Sequence, residues 1–380
     1  MITFANRLQT VQEYYFSKKL KEVRALANEG KPIINMGIGS PDLQPPKSVI
    51  EAIQNSLTDS GAHKYQSYQG LPEFRNAVAA FYKSKYNVTV NPDSEVLPLM
   101  GSKEGIMHIS LAFLNEGDNV LIPNPGYPTY SSVTNLVGAN PIYYNLDDKN
   151  NWQPNFDELE QLDLSKVKLM WVNYPHMPTG TKAVKETYEK LISFGKKHHI
   201  VIVNDNPYSF ILNEEPLSIL QVEGAKNIAL ELNSLSKSFN MAGWRVGKLI
   251  GSSNFLNEVL KVKTQMDSGM FYGIQKGAIE ALELDNQWFV EQNKIYKTRQ
   301  ELIFNLADIL NCSYDKNATG MFVWAKLPKG QESEKVVDNL LYNKNIFVAP
   351  GTIFGSQGEG YIRFSLCVSE KQIKEAITRF

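Results

Sequence analysis

An α/β architecture is predicted, with a large domain built on a mostly parallel central sheet between helices and a smaller α+β domain made from both termini. Two observations predict it. From Val96 to about Met266, short apolar runs alternate with amphipathic stretches at the spacing of strand–helix–strand units. Outside that region the pattern changes to longer helices and isolated strands drawn from the two ends of the chain. Length agrees, since 380 residues are ample for two cores. The large domain is read as 46–285 and the small one as 1–45 with 286–380.

In chain order, the first element is an amphipathic helix over roughly Val11–Asn28, followed by the Gly/Pro-rich run Met36-Gly-Ile-Gly-Ser-Pro-Asp. Strands are predicted at Val96–Met100, Asn119–Ile122, Pro141–Tyr144, Lys168–Val172, Ile200–Asn204, Ile228–Leu232 and Val246–Ile250. Helices fall between them at Lys103–Leu114, Tyr130–Val137 and Val184–His198; in the last, Val184, Tyr188 and Leu191 share one face. A long helix over about Gln287–Leu310 leads to strands near Met321–Lys326 and Tyr361–Leu366. Ligands of such sheets bind beyond the carboxyl ends of the strands.

Bulk properties narrow the function classes. Hydrophobic content of 43% and charged content of 21% are ordinary for a globular protein, and a net charge of -1 gives no electrostatic case for nucleic acid or an anionic membrane. The longest apolar runs are too short to span a bilayer, and the first twenty residues mix charge with aromatics, unlike a signal peptide. Cys312 and Cys367 show no CxxC or metal spacing, which fits two packed thiols in a reducing compartment. No metal site is expected, and the default is a cytoplasmic enzyme.

The chemistry concentrates in Ser234-Leu-Ser-Lys-Ser-Phe-Asn-Met-Ala-Gly-Trp-Arg-Val-Gly247. Lys237 can form a Schiff base with an aldehyde cofactor, while Ser234, Ser236 and Arg245 can grip a phosphate dianion. Asp205, after an apolar strand, can pair with a heteroaromatic ring nitrogen, and Tyr208 with the ring's phenolic oxygen; an Asx-turn at a strand end is the plainer alternative. Gly101-Ser-Lys-Glu-Gly105 offers free N–H groups at a helix start as an anion site, or ordinary capping by Ser102. Tyr127, in Pro-Gly-Tyr-Pro, can lie flat on a cofactor ring or fill a core. Arg363, inside an otherwise apolar strand, needs a partner: a substrate carboxylate held bidentately, or an internal acid. Gly37-Ile-Gly-Ser lacks the third glycine of a dinucleotide fingerprint and has no βαβ unit around it, so NAD is set aside.

Taken together, these segments, with Tyr65-Gln-Ser-Tyr-Gln-Gly-Leu-Pro-Glu-Phe-Arg75, resemble the class I/II aminotransferases of the fold type I pyridoxal-phosphate superfamily over nearly the whole chain. The Gly-Ser-Lys-Glu-Gly, Asn-Tyr-Pro and Asp267-Ser-Gly-Met-Phe271 segments look closest to the LL-diaminopimelate aminotransferase branch. The resemblance implies pyridoxal 5'-phosphate bound through Lys237, which also acts as general base. It implies Asp205 at the pyridine nitrogen, Tyr208 at the phenolic oxygen and Tyr127 at the ring face. The phosphate would fall to Gly101, Ser102, the backbone of Lys103, Ser234, Ser236 and Arg245. It further implies Arg363 at the α-carboxylate with help from Gly39, Tyr14 near the substrate pocket, and a homodimer in which Tyr65 reaches the neighbouring site.

The chain departs from the family at Asn173-Tyr-Pro-His-Met-Pro-Thr-Gly180, where Met177 replaces an asparagine that normally donates to the phenolic oxygen. A thioether cannot donate, so Tyr208 is left as sole donor unless His176, Asn173 or a water substitutes. The implied activity is amino-group exchange between an L-α-amino acid and a 2-oxo acid. A carbon–sulfur β-lyase on the same fold would use the same Lys237, Asp205 and Arg363. A cofactor-binding transcription regulator is disfavoured by the near-zero charge and by a pattern that starts by Gly37. No arginine is securely placed to bind a second substrate carboxylate, with Arg24 and Lys263 left open, so a long or uncharged substrate side chain, methionine-like or that of a diaminopimelate precursor, is expected.

Overall fold

The computed structural model describes residues 2–8 and 15–380, so the expectation for Tyr14 lies outside the described residues. Seven strands form the central sheet: β1 (Val96–Leu99), β2 (Asn119–Asn124), β3 (Asn140–Asn145), β4 (Val167–Val172), β5 (Val201–Asp205), β6 (Ala229–Ser234) and β7 (Gly247–Ile250). Their spatial order is β1-β7-β6-β5-β4-β2-β3. Every neighbouring pair is parallel except those of β7, which runs antiparallel to both β1 and β6.

Both faces of the sheet are buried, and the period of two along each strand divides the core accordingly. Leu169, Trp171, Val201, Val203, Leu230 and Leu232 join one apolar cluster with Ile106, Ile109 and Val259 of the helices Ser102–Phe113 and Ser253–Lys263. Met170, Val172, Ile202 and Ile250 join the opposite cluster with Phe81, Leu191 and Phe194. The helix expected from Val184 spans Lys185–His198, with His199 in the left-handed region at φ 56° ending it. Val184 precedes the helix and is 48% exposed, so the buried face is carried by Tyr188 and Leu191 without it.

A third cluster collects Val23, Ile34 and Met36 from the N-terminal part with residues between Tyr296 and Ala376. Its framework is the helix Asn286–Ile309 and an antiparallel sheet ordered Ala349–Pro350, Tyr361–Ser365, Phe322–Lys326, Ser313–Tyr314. Ile34–Asn35 pairs in parallel with Ile346–Phe347 and ties the N-terminal segment to this part. Arg299 fastens it further: buried on the long helix, it binds Asp42 through both Nη1 and Nη2 at 2.7 and 3.0 Å, and Glu370 through Nε at 3.0 Å. Where the 147–152 segment meets the small sheet, Trp152 and Trp324 lie edge to face at 6.2 Å, and Trp324 stacks on Tyr361 at 5.0 Å. Among the described residues no helix is long and apolar enough to cross a membrane.

Candidate active site

Strands β1, β4, β5 and β6 of the central sheet end around one cavity of about 190 Å³, lined by Ser102, Lys103, Tyr127, Tyr130, Asn173, Met177, Asp205, Tyr208, Ser234, Ser236, Lys237 and Arg245 among others. The sequence brings them together because each follows or ends a buried apolar strand, where the chain must leave the sheet and expose polar groups. Asp205 is the last residue of β5 and Ser234 the last of β6. Ser102 opens the helix that follows β1.

Gly101, not Ser102, is the N-cap of that helix, and no side chain caps it. The Ser102 hydroxyl and the first N–H groups are therefore left to serve an anion. Gly101 sits at φ 90°, and a Cβ there would collide with the Arg245 guanidinium. Arg245 itself lies in the left-handed region at φ 55°, with Nη1 donating to the Ala242 carbonyl at 3.0 Å and reaching Ser236 Oγ at 3.4 Å. Hydroxyls, helix start and guanidinium thus form a cradle for a dianion.

Asp205 faces this cradle from the other side. Its Oδ2 accepts from Tyr130 Oη at 2.9 Å, while Oδ1 is buried with no partner among the described residues. Burial raises its pKa to about 7, opposed by the Tyr130 bond and by Lys237. Tyr130 enters the sequence reading only as the first residue of an expected helix, with no role at the site. Lys237 is partly buried, its amine donating to the Gly39 carbonyl. Burial lowers its pKa, and the guanidinium groups of Arg363 and Arg245 push the same way.

The Met177 position is also defined. Asn173 is held at both ends of its amide: Nδ2 spends one of its two N–H groups on the Asp205 carbonyl at 2.5 Å, and Oδ1 accepts from Met177 N at 2.8 Å. His176 lines neither cavity: its Nδ1 meets Thr179 Oγ1 at 2.8 Å, its Nε2 is buried without a partner among the described residues, and burial lowers its pKa to about 3. Met177 instead offers Sδ to Arg363 Nη1 at 3.3 Å.

A second cavity of about 390 Å³ shares Lys103, Tyr127, Met177, Tyr208 and Lys237 with the first and extends to Gly39, Phe16, Leu20, Arg24, Phe322, Ile353, Phe354 and Arg363. Arg363 occupies the middle of the small sheet, opposite Trp324 on one side and Ala349 on the other. Phe322 and Phe354 cover its guanidinium at 3.9 and 4.6 Å, Nη2 donates to the Gly37 carbonyl at 2.8 Å, and Nε is buried without a partner. No acid pairs with it, so the internal ion pair that the sequence left open is absent among the described residues. Burial lowers its pKa to about 10.

Two expected contributors are elsewhere. Tyr65 is 91% exposed and lies beside Gly269 and Phe271, outside both cavities of its own chain. Lys263 is buried against Asp267 at 2.6 Å, which removes it from the substrate pocket and leaves Arg24. Near that pair, Glu104, His108 and Asp267 bring ligand atoms within 4.8 Å of one another, but the Lys263 ammonium is the cation that Asp267 already holds.

Comparison with known proteins follows the same lines. The family model described as aminotransferase class I and II matches residues 31–380. The LL-diaminopimelate aminotransferase of Aquifex aeolicus is 38% identical over 381 residues, covering 100% of this chain and 98% of the relative. That of Maridesulfovibrio salexigens is 39% identical over 378 residues, covering 99% and 97%. The substrate-bound structure of BacF from Bacillus subtilis matches at a TM-score of 0.95 and 34% identity, covering 100% of this chain and 97% of that one. An aminotransferase from Staphylococcus aureus matches at 0.90 and 33%, covering 99% and 98%.

Proposed function

Because the chain belongs to the class I and II aminotransferases, with their fold type I architecture and their dependence on pyridoxal phosphate, we propose that the smaller cavity holds that cofactor and the larger one the substrate, with Lys237 acting where they meet. One observation carries the assignment: an amine, a buried carboxylate with one unfilled acceptor and a dianion cradle line a single cavity. The residues fit the group. Ser102, Ser234, Ser236, Arg245 and the N–H groups of residues 102 and 103 would hold the phosphate, Asp205 Oδ1 the ring nitrogen, Tyr208 the phenolic oxygen and Tyr127 a ring face. When bound, pyridoxal phosphate supplies an aldehyde that accepts the amino group and a ring that draws electrons from the substrate α-carbon.

The chain's own residues do the rest. Lys237 Nζ, kept less basic by burial and by two guanidinium groups, takes the proton from the substrate α-carbon and returns it. Arg363 turns its unpaired Nε toward the α-carboxylate, and the two phenylalanines that cover it exclude water and strengthen that bond. Gly39 limits the approach from the N-terminal side through the carbonyl that Lys237 reaches.

For the substrates, an amino acid and a 2-oxo acid, the wall made by Phe16, Leu20, Phe322, Ile353 and Phe354 favours a large, mainly apolar side chain. A second reading rests on Arg24, which lines the same cavity and suits a polar end such as that of LL-diaminopimelate, the substrate named for the relatives above. Tyr65, exposed and remote from its own site, supports a homodimer in which it serves the partner's phosphate. The apolar cluster that gathers the terminal parts, to which 46–285 adds only Met177, Tyr208 and Ile211 among the buried members, supports a division at residues 45/46 and 285/286, and two unbridged cysteines support a reducing, cytoplasmic location.

Two measurements test this function. Borohydride reduction of the loaded enzyme, followed by peptide mapping, is expected to label Lys237; a label on another amine overturns the assignment. A single-turnover panel of phenylalanine, methionine, LL-diaminopimelate and glutamate is expected to favour the apolar pair. A strong preference for LL-diaminopimelate selects the Arg24 reading, and pyruvate from cystathionine would point to β-elimination instead.

A further inference from the structure

We propose that Tyr130 is a positioning residue for Asp205: its hydroxyl occupies one carboxylate oxygen so that the other stays free, ionised and aimed at the cofactor ring. The inference rests on the assignment of Asp205 to the ring nitrogen and adds to it a residue that nothing in the motifs marks.

The geometry leaves Tyr130 little freedom. It is the second residue of the helix Thr129–Leu136 and is 1% exposed. Its ring stacks on Trp171 of β4 at 4.9 Å with an interplanar angle of 6°, and meets Tyr127 edge-on at 5.6 Å. Held from both sides, the hydroxyl can point only where the ring directs it, at Asp205 Oδ2 2.9 Å away. Asp205 is fixed from behind as well, because its carbonyl accepts from Asn173 Nδ2 and it pairs with Leu232 of β6.

The consequence for the carboxylate is chemical. A buried carboxylate with no donor would gain most by taking a proton, and a neutral acid no longer attracts a cationic ring nitrogen. The Tyr130 hydroxyl opposes that, and so does the Lys237 charge, while Tyr208 and Tyr127, which line the same cavity, carry no positive charge. The hydroxyl also decides which oxygen is spent. With Oδ2 occupied, Oδ1 is the one acceptor left, and it lacks a partner in the protein. Free rotation of the carboxylate about its own bond would otherwise spread the acceptor over two positions.

Tyr130→Phe keeps the ring, its stacking and nearly its volume, and removes only the hydroxyl. The measurement is the dissociation constant of pyridoxal phosphate from the purified enzyme, followed by its visible absorbance, beside the thermal midpoint of the cofactor-free protein. The expected result is a rise in the dissociation constant of about tenfold or more, with the cofactor-free midpoint little changed. Asp205→Asn is expected to weaken binding further, and Tyr130→Phe added to it is expected to change nothing more, because the two act through one contact. If Asp205→Asn weakens binding and Tyr130→Phe does not, this inference fails while the Asp205 assignment stands. If neither weakens it, the Asp205 assignment itself is wrong. A lowered thermal midpoint with unchanged affinity would reduce Tyr130 to a packing residue and overturn the proposal.

Discussion

Met177→Asn restores a donor where this chain has a thioether, and the structure sets the size of the effect. Met177 is 6% exposed, lines both cavities and offers only its sulfur, 3.3 Å from Arg363 Nη1. His176 lines neither cavity, and Asn173 already spends one N–H on the Asp205 carbonyl. An asparagine here would add one N–H donor toward the phenolic oxygen of the bound cofactor. A hydrogen bond to a charged oxygen contributes about 1.5–3 kcal/mol, and one pKa unit corresponds to about 1.4 kcal/mol. The donor stabilises that oxygen most after the neighbouring Lys237 nitrogen has lost its proton. The loaded variant should therefore deprotonate about one to two units lower than the wild type. Titrating the visible absorbance of both proteins against pH measures this directly. Met177→Leu, close in volume and without a donor, should leave the midpoint in place. A Met177→Asn midpoint equal to that of the wild type would refute the reasoning and show that the oxygen is already fully satisfied.

Arg363→Lys loses the planar fork and its stacking on Phe322 and Phe354; the KM of amino-acid substrates should rise by about 10–100-fold, more than kcat falls, as steady-state kinetics would show. Arg299→Ala should destabilise the fold by about 2–3 kcal/mol, near the low end for a buried ion pair, because the abandoned Asp42 and Glu370 side chains are 32% and 36% exposed and can be rehydrated; denaturant midpoints test it. Asp205 predicts a pH effect in the cofactor-free protein. Its folded pKa is raised, from 3.8 to about 7, so the folded state holds the proton more tightly and stability falls as pH rises through that window. Asp205→Asn should remove that part of the slope, and unfolding free energies at pH 4.5 and 7.5 that differ equally in both proteins would contradict it.

Much of the sheet was legible because its strands are doubly buried and read as unbroken apolar runs, Ile200–Asn204 and Lys168–Val172 above all. Direction was not. A strand buried on both faces carries the same residues whether it runs with or against its neighbours, so the reversal of β7 left no trace in its composition. Polar residues around the strand ends were legible by type and position, and Lys237, Asp205, Ser234 and Arg245 line one cavity. Interactions between side chains far apart in sequence were not. The Tyr130–Asp205 bond spans 75 positions and the Arg363–Met177 contact spans 186, and neither partner announces the other. Ser102 shows the opposite limit, since a serine at a helix start reads as a cap until the backbone places Gly101 there instead.

The meeting of Trp152, Trp324 and Tyr361 has a practical use. Trp324 touches Phe354 edge-on at 6.0 Å, and Phe354 in turn covers the Arg363 guanidinium at 4.6 Å. An indole fluorophore therefore stands one ring away from the group that would receive the substrate's carboxylate. Of the five tryptophans in the chain, two share this spot. Stopped-flow emission excited at the indole band can time carboxylate capture separately from the colour change of the coenzyme, with no dye attached.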